Sequence, residues 1–261
     1  MRKAEALTSP ANPLLKEIRR AIARGERTRE GYAIAETFHL LDEAIGSGCE
    51  IGAVLAAESA RPAVEARLRS VPGTRLLVLA DALFRSISDT ESAQGVMALV
   101  RPPEWEIERL LAGQPLVVVL DGVQDPGNAG AIIRAAEAFG ATGLVFLKGT
   151  VGPYNPKAVR ASAGSVFRVP LVAGIEAAPA REVLSGHGLA VYAAAPAAGT
   201  NLDQIDLTRG CAFVIGSEGR GPIHEWGTAG VRIPVSGVES LNAAMAAGIL
   251  LYEARRQRTR V

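Results

Sequence analysis

The sequence lacks most of the features that mark a site at first sight. Its two cysteines, Cys49 and Cys211, are far apart, and its three histidines are scattered, so no cluster has metal-ligand spacing and no metal is expected. Twenty-eight Lys and Arg against 27 Asp and Glu leave a formal charge of +1, which neither demands nor excludes a nucleic-acid partner. The opening residues MRKAEALTSPANP hold no apolar signal core, and no run of about 18 apolar residues follows. Neither export nor a membrane span is expected, and the cytoplasm is the simplest home. There is no GxGxxG fingerprint with an acidic residue about 20 positions on, which counts against a nucleotide-linked dehydrogenase.

What is present suits a globular α/β chain. Of the 261 residues, 48% are hydrophobic and 21% charged, enough for a core and consistent with one large or two smaller domains. Residues 2 to 29 carry eight Lys/Arg against three acids. Leu14, Leu15, Ile18, Ala21 and Ile22 make an apolar helical face there, with Lys16, Arg19 and Arg20 opposite, either solvated or in contact with phosphate. Short apolar runs then alternate with helical segments: strands at 32–35, 51–56, 74–79 and 95–100, helices at 37–46 and 61–70, and a helical turn at 81–86. Arg101-Pro102-Pro103-Glu104-Trp105 breaks the pattern, since two prolines cannot continue a regular element. The expected organisation is a small α/β domain over 1–103, a linker over 104–113 and a second α/β domain over 114–261.

In the second domain, strands are expected at 116–120, 143–147, 166–169, 189–194, 212–215 and 231–233, with helices at 130–139, 155–163, 178–185 and 241–257. Near-continuous apolar strands separated by helices imply a parallel sheet covered on both faces, whose ligands bind at the strand carboxyl ends. Three loops fall there. The first, 121–130, is DGVQDPGNAG; Asn128 stands where a helix N-cap would, and Arg134 follows among Ile132, Ile133, Ala135 and Ala136. A buried charge in such company needs a partner, and Glu137 or Asp125 is within reach along the chain. The second is Phe213 to Gly221, a strand running into three glycines. The third is Ile233 to Asn242, where Pro234 ends a strand and Ser240 or Asn242 caps a helix rich in small residues.

Together the loops read N-x-G-x-x-x-R (Asn128 to Arg134), IGSEG (Ile215 to Gly219) and IPVSGVESLN (Ile233 to Asn242). In this order the set resembles the SpoU/TrmH family of the SPOUT methyltransferases. The first hundred residues resemble, more loosely, the substrate-binding domain often fused to it, best at QGVMALV, Gln94 to Val100. The resemblance implies a deep trefoil knot in the second domain, a homodimer, and transfer of a methyl group from S-adenosylmethionine to an RNA ribose 2′-hydroxyl, with ribosomal RNA favoured over transfer RNA. By motif match, Arg134, Asn128, Glu218, Ser240 and Asn242 would carry the chemistry. Ile215, Gly216, Ser217, Gly219, Ile233, Val235 and Leu241 would hold the cofactor. A non-catalytic RNA-binding protein of ribosome assembly is the competing reading; intact Arg134, Glu218 and Asn242 argue against it.

Overall fold

The computed structural model describes residues 4–90, 93–197, 199–217, 221–226 and 229–259. They form two compact units: residues 1–103 with 154–167, and 104–153 with 168–261.

The first unit is a five-stranded mixed sheet with helices. Its strands are β1 (Glu5–Leu7), β2 (Ala33–Glu36), β3 (Glu50–Ala57), β4 (Arg75–Leu79) and β5 (Val96–Arg101), in the spatial order β1-β4-β3-β5-β2. β1, β4 and β3 run parallel, while β5 lies antiparallel to both β3 and β2. Helix α1 (Pro13–Arg24) is capped by the Asn12 side chain and starts on Pro13, whose fixed φ suits a first turn. It buries Leu15, Ile18 and Ala21, as the spacing requires. Its basic face is largely spoken for. Arg20 pairs with Glu17 at 2.8 Å and Glu26 at 3.1 Å, and Arg19 donates to the Pro10 carbonyl at 2.9 Å. The Arg20 hydrogen bond, joined by the Arg29 amide, holds the Glu17 carboxyl below its ordinary range. Helices α2 (Phe38–Gly46), α3 (Arg61–Arg67) and α4 (Asp81–Arg85) complete the expected alternation. β1 was not legible: three residues, two of them exposed, carry no alternation to read.

The second unit is a seven-stranded, wholly parallel sheet: β6 (Leu116–Asp121), β7 (Gly143–Leu147), β8 (Leu171–Ile175), β9 (Ala190–Ala194), β10 (Thr200–Asn201), β11 (Cys211–Gly216) and β12 (Ala229–Arg232). Their order is β10-β12-β9-β11-β6-β7-β8. β6 and β11, both buried throughout, lie side by side at its centre, with Ile215 beside Leu120 and Gly216 beside Asp121. A short helix, α5 (Ile107–Leu110), precedes β6; α6 (Pro126–Phe139) and α8 (Ala177–Gly186) follow β6 and β8; and α9 (Ala243–Arg258) ends the chain, packed against α6. Val117, Val119, Ala212 and Val214 build one face of the core together with Ala180, Leu184 and Trp226.

Two expectations need correction here. No strand forms over 166–169. Ser165–Phe167 is a 3-10 turn entered through left-handed backbone at Ala163 (φ 49°) and Gly164 (φ 92°), and the strand begins only after Pro170. The segment 154–167, with helix α7 (Pro156–Ala161), belongs to the first unit although it lies between β7 and β8 in the chain. Within that unit Arg160 of α7 pairs with Asp89 at 2.9 Å. Among the described residues, no helix is long and apolar enough to cross a membrane, and no group of His, Cys, Asp and Glu could hold a metal ion.

Candidate active site

The carboxyl ends of β11 and β12 open into a cavity of about 310 Å³. Ile215, Gly216 and Ser217 form one side. Ile233, Val235, Ser240 and Leu241 form another, and Ala243 and Ala246 of α9 complete it. Six of the seven residues expected to hold a cofactor therefore meet in one place; Gly219, like Glu218, lies outside the described residues. Gly216 is there for want of space. A Cβ on it would stand 1.8 Å from the Gly221 carbonyl carbon and 2.0 Å from the Pro222 nitrogen, both backbone atoms that cannot swing aside. Ser217 and Gly221 exchange two backbone hydrogen bonds of 3.1 Å, so the chain doubles back immediately beyond the strand.

The first and third loops meet through two asparagines 114 positions apart. The Asn242 side-chain amide donates to Asn128 Oδ1 at 2.9 Å. Asn242 is also the N-cap of α9, its Oδ1 accepting the amides of Ala244 and Met245 at 2.9 and 3.2 Å. Asn128 is not a cap, contrary to expectation. Asp125 caps α6, accepting the Asn128 amide at 2.7 Å, and Pro126 takes the first helical position. The helix therefore starts four residues earlier than expected, with Asn128 in its first turn and its Oδ1 turned to Asn242.

Arg134 is the main discrepancy. It is exposed, one position past buried Ile132 and Ile133 on the helix, and it does not line the cavity. Neither expected partner serves it: Glu137 pairs with Arg168 at 2.5 Å, and Asp125 is engaged at the cap. At about 100° per residue, flanking apolar residues place Arg134 on the opposite face rather than burying it.

A buried carboxylate in this unit had no role in the sequence pattern. Asp121, at the end of β6, is fully buried. Its Oδ2 accepts the His224 backbone amide and the Trp226 indole N–H, each at 3.0 Å, and its Oδ1 lies 2.7 Å from His224 Nδ1. Since a carboxylate only accepts, the imidazole proton on that edge sits on Nδ1. These three bonds tie the stretch after Gly221 to the end of the central strand. A carboxylate directly after five apolar residues was the available signal, because burial obliges it to find donors. At the far end of β11, burial pushes the Cys211 thiol up to about 11, against the opposing pull of the Arg258 guanidinium.

Comparison with known proteins bears on this arrangement. Residues 115–252 match the family model described as the SpoU rRNA methylase family. The chain belongs to the SpoU rRNA methylase family. Residues 12–98 match the model of an MRM3-like substrate binding domain. An uncharacterized tRNA/rRNA methyltransferase of Synechocystis is 36% identical over 97% of this chain and 94% of its own length. The 23S rRNA guanosine 2′-O-methyltransferase RlmP of Bacillus subtilis is 31% identical over 95% and 98%. Among solved structures, the SpoU methyltransferase AviRb of Streptomyces viridochromogenes superposes with a TM-score of 0.84 at 28% identity, covering 95% of this chain and 98% of that one. An AdoMet-bound rRNA methyltransferase of Sinorhizobium meliloti does so at 0.84 and 29%, covering 97% and 98%. Membership in the SpoU family accounts for all three loops falling at the carboxyl ends of one parallel sheet.

Proposed function

We propose that this SpoU-family protein transfers a methyl group from S-adenosylmethionine to a ribose 2′-hydroxyl of ribosomal RNA, and that it does so as a homodimer. The observation that carries the proposal is the cavity at the ends of β11 and β12, assembled from motif residues up to 26 positions apart. Its size is at the lower end of the range of about 300–1,000 Å³ usual for small-molecule sites. Its wall at Gly216, closed to any side chain, offers peptide groups to a ligand. The residues present therefore fit the cofactor. Ile215, Gly216, Ser217, Ile233, Val235 and Leu241 would hold it, and its role when bound is to present a methyl group on a positively charged sulfur. The sharp return at Ser217 and Gly221, and the placement of β11 between β9 and β6, accord with the trefoil knot that the family resemblance implies.

When bound, the cofactor would supply the methyl carbon to which the ribose oxygen forms a C–O bond as the C–S bond breaks, the electron pair passing to sulfur and the hydroxyl proton to solvent water. The protein must orient that oxygen. The Asn128–Asn242 bond locks the first turn of α6 to the cap of α9, beside Leu241 and Ala243 of the cavity wall. Arg134 serves by holding the RNA phosphate next to the target ribose; a guanidinium is a poor proton acceptor but a strong phosphate ligand.

The homodimer rests on an exposed apolar stripe on α9. Met245 (59% exposed), Ile249 and Tyr252 (55%) recur at helical spacing, and a face of this kind calls for a partner. α6, which bears the exposed Arg134, packs beside it, so pairing of two copies gives Arg134 a place at a composite site. The test is Arg134→Ala. It should bind S-adenosylmethionine as the native protein does and lose methyl transfer by about 100-fold or more, as for other groups that act in the transition state. Near-native turnover would refute the role.

A further inference from the structure

Only two charged side chains are among the described residues lining the cavity, Arg232 at the end of β12 and Glu239 before Ser240. The rest of the lining is apolar, hydroxyl or backbone. The two charges form no ion pair with each other or with any other described residue. Arg232 Nε donates to Asn201 Oδ1 at 2.6 Å, which orients the guanidinium and leaves its two terminal NH₂ groups without a partner among the described residues. Glu239 has no hydrogen-bond partner among the described residues and is exposed. A cavity that keeps one cation and one anion apart suits a ligand carrying the complementary pair.

S-adenosylmethionine has such a pair. Its adenine and ribose are neutral, and its methionine end carries an α-carboxylate and an α-ammonium. We infer that Arg232 and Glu239 are the specificity residues for the methionine end of the cofactor, the Arg232 guanidinium taking the carboxylate and the Glu239 carboxylate taking the ammonium. A guanidinium fork matches a carboxylate in two parallel hydrogen bonds, which adds geometry to charge. The inference rests on the cofactor reading above and assigns the amino-acid end of the ligand to named side chains. It also implies that S-adenosylhomocysteine, which retains the zwitterion but not the sulfonium charge, is gripped by the same pair.

The experiment is isothermal titration calorimetry of the full chain with S-adenosylmethionine, S-adenosylhomocysteine and 5′-methylthioadenosine, which lacks the amino-acid end. Arg232→Gln and Glu239→Gln should each weaken the first two ligands by about tenfold. Both should leave 5′-methylthioadenosine unchanged, which also reports that the cavity is folded. Arg232→Lys should recover part of the loss, because it restores charge without the fork. Unchanged S-adenosylmethionine affinity in either variant, or an equal loss for all three ligands, would overturn the assignment. A loss in Glu239→Gln confined to S-adenosylmethionine would overturn its ammonium half, since Glu239 would then be reading the sulfonium. If the native chain bound none of the three, the cofactor reading itself would fail.

Discussion

Replacing Asp121 by alanine would remove a fully buried acceptor and strand its donors. One of them, the indole N–H of Trp226, lies where water has little access, Trp226 being only 5% exposed, while the His224 backbone amide is partly buried. A buried donor left without a partner costs about 1–3 kcal/mol, so Asp121→Ala should lose about that much through the indole alone. The His224 ring, with 43% of its side chain exposed, finds water and adds little. That loss is large beside the total stability of about 5–15 kcal/mol usual for a domain. Asp121→Asn should behave differently. Its amide oxygen can accept both N–H groups in the place of Oδ2, while its NH₂ faces an imidazole able to carry its proton on Nε2 and accept at Nδ1. Only the charge assistance is lost, about 1 kcal/mol. Urea unfolding followed by tryptophan fluorescence, with the slope checked for constancy, would measure both variants. Cofactor titration would show whether the pinned stretch matters to the cavity, since Gly221 lines the cavity and stands three residues before His224. An alanine variant within about 0.5 kcal/mol of the native protein, or alanine and asparagine variants of equal stability, would refute the reasoning.

Three other predictions follow from the same geometry. Gly216→Ala forces a Cβ into the Gly221 backbone and should cost about 1–3 kcal/mol and abolish measurable cofactor binding, whereas Gly186→Ala, with nothing within 4 Å of the added Cβ, should be neutral or stabilising; equal behaviour in thermal melts would count against the steric account. The buried Cys211 thiol, raised to about 11, should resist alkylation at pH 8 while the partly exposed Cys49 reacts. Because the folded state then holds that proton above the ordinary value of 9.0, stability should be fully present below about pH 9 and fall as pH rises towards 11, by up to about 1.4 kcal/mol per pKa unit of difference, and Cys211→Ala should flatten that decline. Met245→Asp places a charge in the apolar stripe of α9 and should shift the native protein from dimer to monomer in sedimentation, with the circular dichroism spectrum preserved; an unchanged sedimentation coefficient would exclude this face as the dimer contact.

Local pattern decided a good deal about this protein. The β-branched run Leu116–Leu120 reads as a buried strand, α1 follows from its apolar spacing, α9 from its small residues behind a capping side chain, and the three Gly- and Pro-containing loops were bound to fall at strand carboxyl ends once the sheet was parallel. Residue types two, three or four positions apart report their own element and nothing beyond it. What they could not report is which elements meet. The order β9-β11-β6 sets Gly216 beside Asp121, the packing of α9 on α6 brings Asn242 to Asn128, and the return after Gly221 carries His224 and Trp226 back to Asp121. Arg134 looked buried because its neighbours in the chain are apolar; helix rotation put it in solvent. Ser165–Phe167 has the composition of a strand, but left-handed backbone just before it makes a turn, and its segment joins the unit formed by the first hundred residues. The residues of the three loops were thus legible as a list. Their grouping, with a cavity at the ends of β11 and β12 and an exposed arginine apart from it, was decided by strand order and helix packing, which act between residues more than 100 positions apart and leave no local periodicity to read.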